Sequence, residues 1–296
     1  MKLNPKLMFC FYVLTLLFQN AKANDGLKIV QKVIYGADDR MDVFESSDSL
    51  MKEISRSTAA QIYKRYIVKN VDENNITSYI LRFKTLHDFG MCQSERFSNQ
   101  SKAASCSGFL IASDILVTAG HCVETAHDCL DHSWVFDYSN IEEENKSFTF
   151  HEDQIYHCTQ VISHKKDEVM MNDYSILKLD RPVVGRMPLK FRTMGKATNN
   201  AIFTIIGHPS GLPTKITSNA FMRDNTNSVF FVTNADSYSG NSGSAVVDSR
   251  TGIVEGLLVR GDTDYEKLAD GCYRSIKRDQ NGGRGEDVTR ITTIDF

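Results

Sequence analysis

Short runs of apolar and β-branched residues, separated by polar turns, recur along the chain from Thr77 onward. Such runs are typical of strands, and many short strands divided by Gly, Asn, Asp and Ser indicate an all-β sandwich or barrel. No repeat of fixed period is visible, which argues against a propeller or a solenoid. The predicted strands are Tyr79–Phe83, Gly108–Ile111, Ile115–Thr118, Ser175–Leu179, Phe203–Ile206 and Val229–Val232.

The chain before Thr77 has a different character. Residues 1–23 begin with Lys2 and Lys6, continue through an apolar run over residues 7–18 and end in the small-residue pattern Ala21-Lys22-Ala23. This order is typical of a cleavable signal peptide, and the apolar run is too short to span a bilayer. We therefore expect an exported protein, secreted or periplasmic, without a membrane span.

Residues 24–75 are polar and charged and hold one predicted short helix, Ser49–Ile54. We expect residues 24–32 to be a propeptide and residues 33–75 to form an N-terminal arm. The main domain then covers residues 76–296.

Charge and cysteine content narrow the class of protein further. The formal net charge is −3, and affinity for nucleic acid comes largely from clustered Lys and Arg, so we expect no nucleic-acid partner. Of the seven cysteines, Cys10 lies in the predicted signal peptide. An even number of cysteines in the remaining exported chain predicts disulfides. We expect the protein to be a monomer.

The strongest chemical signal is Gly240-Asn241-Ser242-Gly243-Ser244, followed by an apolar strand from Ala245. Glycines on both sides of a serine let the backbone turn sharply, so that the hydroxyl and nearby amides face the same space. A serine hydroxyl is a weak nucleophile that needs a base within hydrogen-bond reach.

Two further motifs supply the partners of such a serine. His121, in Thr118-Ala119-Gly120-His121-Cys122, directly follows a predicted strand and is the candidate base. Asp173 precedes another strand and can orient the imidazole and stabilise its charged form. Asp167 and Asp180 lie nearby in the sequence and are alternatives that can cap turns.

These motifs, in the order His, Asp, Ser, resemble those of the trypsin-like peptidases. Within that family the chain most resembles the bacterial branch that includes the glutamyl endopeptidases, from about Val33 to the C-terminus. The turn Gly207-His208-Pro209 and the segment from Val33 to Arg40, similar to a mature N-terminus, agree with this branch. The resemblance implies two antiparallel six-stranded β-barrels, at about residues 76–182 and 183–296, with the site in the cleft between them.

The resemblance also implies several residue roles. The amides of Gly240 and Ser242 would form the oxyanion hole, and Cys106 would pair with Cys122 to brace the histidine loop. With that pair assigned, we pair Cys129 with Cys158 and Cys92 with Cys272 by elimination. Cleavage after Lys32 would expose the family-like N-terminus, so we expect a zymogen.

Substrate preference in this family depends on one pocket. The resemblance places Asp236, Ser237, Leu258 and Arg260 at that pocket. Asp236 favours substrates with Lys or Arg, although in the glutamyl branch an Asp here can turn away from the pocket. Leu258 stands where glutamyl enzymes place a histidine, and Arg260 is either a partial replacement or a solvated rim residue. We expect cleavage after basic residues.

The expected function is therefore a secreted serine endopeptidase that acts on proteins or peptides through an acyl-enzyme and requires no cofactor. A non-catalytic binding protein on the same fold and an esterase with the same machinery are the alternatives, and hydrolysis of a protein substrate separates the peptidase from both. We expect no metal site, although one cluster offers ligands at His127, Cys129, Asp131 and His132.

Overall fold

The computed structural model describes residues 33–142 and 147–296. The predicted signal peptide and propeptide, including Lys32, lie outside the described residues. Within the described residues no helix is both long and apolar enough to cross a membrane.

Strands dominate the described chain, and helices are short. In chain order, the strands before residue 180 are β1 (Ile34–Tyr35), β2 (Arg40–Asp42), β3 (Thr58–Tyr63), β4 (Ile67–Val71), β5 (Thr77–Leu81), β6 (Lys84–Thr85), β7 (Ser101–Lys102), β8 (Ala104–Ala112), β9 (Ile115–Thr118), β10 (His132–Phe136), β11 (Thr149–Phe150), β12 (Ile155–Lys166) and β13 (Asp173–Leu179). Those that follow are β14 (Ile202–Gly207), β15 (Lys215–Asp224), β16 (Phe230–Thr233), β17 (Ala245–Asp248), β18 (Val254–Arg260), β19 (Tyr265–Lys267), β20 (Tyr273–Ser275), β21 (Lys277–Arg278) and β22 (Glu286–Arg290). The α-helices are α1 (Ser49–Ser55) and α2 (Ala126–Asp131), and 3₁₀ turns occupy Lys64–Tyr66, His87–Phe89, Gly120–Cys122, Glu152–Gln154, Pro209–Gly211 and Ile291–Thr293.

The first barrel closes in the order β3, β8, β9, β13, β12, β10, with antiparallel pairing throughout. Phe109, Leu116, Trp134 and Leu177 are buried in its core. The apolar runs Gly108–Ile111, Ile115–Thr118 and Ser175–Leu179 that the sequence predicted as strands lie in β8, β9 and β13, which are buried along most of their length. The predicted strand at residues 79–83 corresponds to β5, which lies in a small outer sheet with β4 and β11.

The start of the first barrel corrects the predicted boundary at residue 76. β3 is a barrel strand, although it lies in the segment expected to be an arm. Its centre is Ala59 and Ala60, which are fully buried but too small to produce a marked apolar pattern. Gln61 of β3 is also buried, and its side chain donates to the carbonyl of Cys122 at 2.9 Å. A polar residue therefore lies inside the barrel, although the polar character of this segment predicted an exposed position.

The second barrel is built from β14, β17, β18, β22, β16 and β15, and pairing of β14 with β15 closes it. β2 adds to the outer edge of β15. The core of this barrel contains Phe203, Phe231, Val246 and Leu258. The fold is therefore the expected pair of six-stranded antiparallel barrels.

The chain crosses between the barrels near its N-terminal end. β1 pairs in parallel with β21, so residues 33–42 pack on the second barrel before β3 enters the first. The predicted helix is confirmed as α1, which begins after Asp48, whose carboxylate caps two amides. Met51 and Ile54 on its buried face join a hydrophobic cluster with residues of both barrels.

All three predicted disulfides are present. Cys106–Cys122 ties β8 to the turn that carries His121, and Cys129–Cys158 ties α2 to β12. Cys92–Cys272 joins positions 180 residues apart in the sequence and connects the two halves of the chain.

Candidate active site

His121 lies in the 3₁₀ turn that follows β9, between Gly120 and Cys122, and Cys122 is disulfide-bonded to Cys106. A Cβ atom at Gly120 would lie 2.2 Å from the carbonyl of Lys165 and 3.0 Å from Asp173 Oδ1. Only glycine therefore lets the histidine turn pack this closely on β12 and β13. The imidazole remains partly accessible, with 16% of the side chain exposed.

Asp173 begins β13, the strand that lies between β9 and β12 in the barrel. Its Oδ2 lies 2.8 Å from His121 Nδ1, and its Oδ1 accepts the backbone amide of His121 at 3.1 Å. One carboxylate thus holds both the ring and the backbone of the histidine.

The electrostatics of Asp173 favour its charged form. Burial is the largest single influence and raises the pKa of this carboxyl, but the hydrogen bonds and charge of His121, together with the charge of Arg260, outweigh it, so the pKa is lowered. A charged carboxylate only accepts hydrogen bonds, so His121 Nδ1 carries the proton and Nε2 keeps its lone pair. This is the tautomer in which the imidazole can act as a base.

The loop before β17 carries Ser242 between two glycines with positive φ, +95° at Gly240 and +84° at Gly243. A Cβ at Gly243 would lie 2.2 Å from the carbonyl of Ser107 and 2.9 Å from the amide nitrogen of Ala119. The serine loop of the second barrel therefore packs directly against β8 and the end of β9 in the first barrel. The contact at Ala119 lies two residues before His121.

Ser107 on β8 fixes this loop from the first barrel. Its amide donates to the carbonyl of Ser242 at 2.8 Å, and its hydroxyl donates to the carbonyl of Gly240 at 2.9 Å. The same hydroxyl accepts the amide of His208 at 2.9 Å. The sequence analysis missed Ser107, because a single serine within an apolar strand carries no signal of this role.

The three predicted catalytic residues are not all joined in the free protein. His121 and Asp173 are hydrogen-bonded, whereas Ser242 Oγ forms no hydrogen bond with His121 or with any other residue that the structure describes. Hydroxyl–imidazole contacts are often long in free enzymes and tighten when substrate binds.

The predicted oxyanion hole has two amides that remain available. Neither Gly240 nor Ser242 donates its backbone N–H to an acceptor within residues 33–142 and 147–296. Asn241 between them is buried, donates to Ser237 Oγ at 3.0 Å and accepts the hydroxyl of Ser244 at 2.7 Å. The loop is thus held by its middle side chain while its amides stay free to bind a developing negative charge.

Asp236, which was predicted for the specificity pocket, binds the N-terminal segment through both of its carboxylate oxygens. Its Oδ1 accepts the amide of Tyr35 at 2.6 Å and its Oδ2 accepts the amide of Asp39 at 2.8 Å. Burial raises the pKa of Asp236 to about 7 despite these two amide donors. The carboxylate therefore anchors the N-terminal segment, which is the orientation away from the pocket that the resemblance allowed.

The other three predicted pocket residues also have structural partners. Ser237 is fully buried and its amide donates to the carbonyl of Val33 at 3.2 Å. The side chain of Leu258 is fully buried in the core of the second barrel. Arg260 binds Asp287 rather than facing solvent as a rim residue. The assignment of these residues to a substrate pocket stays a prediction; the partners that they have here depend on strand twist and register, which the sequence pattern does not reveal.

The residues considered as metal ligands are engaged in other contacts. Cys129 is in a disulfide, and His127 and Asp131 pair with each other at the surface. His132 Nδ1 lies 2.9 Å from the carbonyl of Asp128 and donates to it. Two other groups have ligand atoms close together, Cys106 with His121 and Cys122, and Cys92 with Asp270 and Cys272. In both groups the thiols are used in disulfides.

Sequence comparison defines the family of this site. The model of the trypsin-like peptidase domain matches residues 106–257, which is more than half of the chain. The chain therefore belongs to the trypsin-like peptidase family, as the motifs indicated. No curated protein sequence matches it significantly.

Solved structures of proteases are similar to the chain at low identity. A Glu endopeptidase in complex with MPD is 16% identical over 88% of this chain and 94% of its own, with a TM-score of 0.48. A serine endoprotease from Yersinia pestis is 12% identical over 84% of this chain and 65% of its own, with a TM-score of 0.47. The active form of the Rv3671c protease from M. tuberculosis is 16% identical over 82% and 79%, with a TM-score of 0.43. Likeness at this level carries no information about substrate.

Proposed function

We propose that this protein is a serine endopeptidase in which Ser242, His121 and Asp173 form the catalytic triad. The observation that carries the proposal is the double attachment of His121 to Asp173, through the ring and through the backbone. This attachment is consistent with an imidazole held in one tautomer. The serine loop nearby has two backbone amides that donate to no acceptor in the described residues.

The reaction proceeds by acyl transfer. Ser242 Oγ gives its proton to His121 Nε2 and attacks the carbonyl carbon of the scissile peptide bond. The amides of Gly240 and Ser242 donate to the oxyanion that forms. His121 then gives the proton to the leaving amine, the peptide bond breaks, and water releases the acyl group by the reverse sequence.

We place this activity outside the cytoplasm. Three disulfides support that location, because cytosolic proteins rarely keep such bonds. Release of residues 24–32 by cleavage after Lys32 is part of the proposal. Val33 is fully buried and bonded to Ser237 in the structure, so residues close to the proposed cleavage site are already docked.

The preference for Lys or Arg rested on an Asp236 that faces the pocket. Because both oxygens of Asp236 bind backbone amides instead, that preference lacks the carboxylate assigned to it. The residue that precedes each cut, measured on a mixed substrate, will define the preference.

The test is cleavage of a denatured protein mixture by the chain from Val33 onward, with new peptide termini read by mass spectrometry. The Ser242→Ala variant is expected to lose activity by about a million-fold, the scale seen when a triad serine is removed. Ser239→Ala, in the same loop and half-buried, is the matched control and should cleave like the wild type. Equal activity of Ser242→Ala and wild type, or no cleavage by either, would reject the proposal.

A further inference from the structure

Arg260, the last residue of β18, reaches from the second barrel to the acid of the proposed triad. Its Nη1 lies 3.6 Å from Asp173 Oδ2. Its Nη2 donates to the carbonyl of Met171 at 2.9 Å, and its Nε donates to Asp287 Oδ2 at 3.2 Å. The guanidinium is therefore fixed on three sides, with 20% of the side chain exposed.

We infer that Arg260 is a positioning residue that holds the Asp173 carboxylate from the second barrel and offsets part of its charge, thereby extending peptidase activity to lower pH. This inference rests on the proposed function of the same site. The contact crosses between the barrels, since Asp173 and Met171 belong to the first and Arg260 to the second.

The expected effect of Arg260 on pH dependence arises because His121 and Arg260 both contact the same carboxylate oxygen of Asp173. Asp173 Oδ2 bonds to His121 Nδ1 and also faces Arg260. A lone carboxylate stabilises the imidazolium strongly, which keeps the base protonated until the pH is high enough. A guanidinium is always charged, so at every pH it reduces this stabilisation. His121 is then available as a neutral base at lower pH than without Arg260.

Asp287, the other acidic partner of Arg260, does not fully neutralise the charge of Arg260. Asp287 is buried and also binds Arg284, whose Nη2 lies 2.5 Å from the same Oδ2 atom. Two guanidinium groups thus share one carboxylate, whose single negative charge cannot neutralise both of them. The pKa of Asp173 agrees with this arrangement, since burial raises it while His121 and then Arg260 lower it.

The other charged side chains near Asp173 and Arg260 are either paired with each other or lie on neighbouring segments. Lys166 is opposite Asp173 in the β12–β13 ladder, but its Nζ binds Glu124 at 2.5 Å. Both side chains are more than one-third exposed, so solvent screens them. Neighbouring segments carry further charged side chains at Lys165, Asp167, Glu168 and Asp295.

The experiment compares the pH dependence of kcat/KM for wild type, Arg260→Gln and Arg260→Lys on one peptide substrate. In Arg260→Gln the acidic limb should move to higher pH by about half a unit to one unit, from the loss of one nearby charge at intermediate dielectric. Arg260→Lys keeps the charge and should restore most of the wild-type profile. Arg260→Met, which keeps the apolar stem, replaces Arg260→Gln if that variant does not fold.

Arg284→Gln is the matched control, because it removes a guanidinium from Asp287 and leaves the Asp173 contact intact. Its profile should stay close to that of the wild type. Superimposable wild-type and Arg260→Gln profiles, or an equal shift in Arg284→Gln, would overturn the inference.

A second readout separates this inference from the proposed function. The NMR titration of the His121 ring follows proton binding whether or not the protein cleaves peptides. The titration midpoint should move upward in Arg260→Gln and stay in place in Arg284→Gln. If the wild type proves inactive, the proposed function fails, while this titration still supports or rejects the role of Arg260.

Discussion

At the scale of single residues, the site depends on one carboxylate with two tasks. Asp173 orients the imidazole of His121 through Nδ1 and fixes the turn that carries it through the backbone amide. An asparagine at this position would keep the shape but would present an N–H group as well as an oxygen. It would favour the tautomer that leaves Nε2 protonated and unable to accept the serine proton.

Asp173→Asn is therefore expected to reduce kcat by about 10⁴-fold at neutral pH while the protein stays folded. Steady-state kinetics, with circular dichroism to verify folding, measures this. Asp167→Asn is the control, because the Asp167 carboxylate accepts the amides of Val169 and Met170 in a turn. A comparable loss in Asp167→Asn, or nearly full activity in Asp173→Asn, would contradict the assignment.

At the scale of elements, the N-terminal segment is attached to the strand connection that leads to the serine loop. Asp236 binds two amides of the segment, and Ser237, the next residue, donates to Val33. Four residues lie between Ser237 and Ser242. The order of the segment and the order of the serine loop are thus linked through a short stretch of buried chain.

Asp236→Asn should release this attachment, since an amide group has one acceptor oxygen for two donors. The loss of a buried hydrogen bond to a charged group predicts about 10- to 100-fold less protection of the Tyr35 and Asp39 amides from hydrogen exchange. Asp279→Asn, at an exposed position nearby, should leave their protection unchanged. Unchanged protection in Asp236→Asn would show that other contacts hold the segment.

The same attachment should depend on pH in the wild type. Burial raises the pKa of Asp236 to about 7, above its ordinary value, so the folded protein takes up a proton at this group as the pH falls below about 7. The protonated carboxyl loses acceptor capacity. Protection factors of the Tyr35 and Asp39 amides, corrected for intrinsic exchange rates, should therefore decrease below that pH and do so only where Asp236 is present.

At the scale of the whole molecule, the two barrels share a hydrophobic cluster, and the disulfides close loops of very different length. The Cys92–Cys272 bond closes a loop of 180 residues, whereas Cys106–Cys122 closes one of 16. Longer loops lose more conformational entropy in the unfolded chain when they are closed. The long-span bond should therefore contribute more to stability, and the short one more to the geometry of His121.

Replacing both Cys92 and Cys272 by serine is expected to lower the free energy of unfolding by about 5 kcal/mol, against about 3 kcal/mol for Cys106 and Cys122, by the loop-entropy model. Activity per folded molecule should survive the first change and fall in the second, because Cys122 follows His121 directly. Denaturant unfolding and active-site titration measure the two effects. The reverse order of activity losses would contradict this division of roles.

The local parts of the site could be predicted from sequence. Glycines beside Ser242 mark a backbone with positive φ, and the structure shows that neither has room for a Cβ atom. Apolar runs predicted the strands, and an even set of cysteines predicted disulfides. These properties depend on a few neighbouring residues, or on the redox chemistry of one residue type. They can therefore be predicted from the sequence without knowledge of the fold.

Tertiary structure alone decided what the polar groups around the site bind. Asp236 meets Tyr35 across 201 residues of sequence, and Arg260 meets Met171 across 89. Such contacts depend on how two barrels pack and on which face of a twisted strand each side chain occupies, and a shift of one residue in register reverses that face. The sequence by itself determined the fold class, the disulfides and the chemical types of the site residues. The packing of the barrels decided that Asp236 anchors a segment and that Arg260 faces the triad acid.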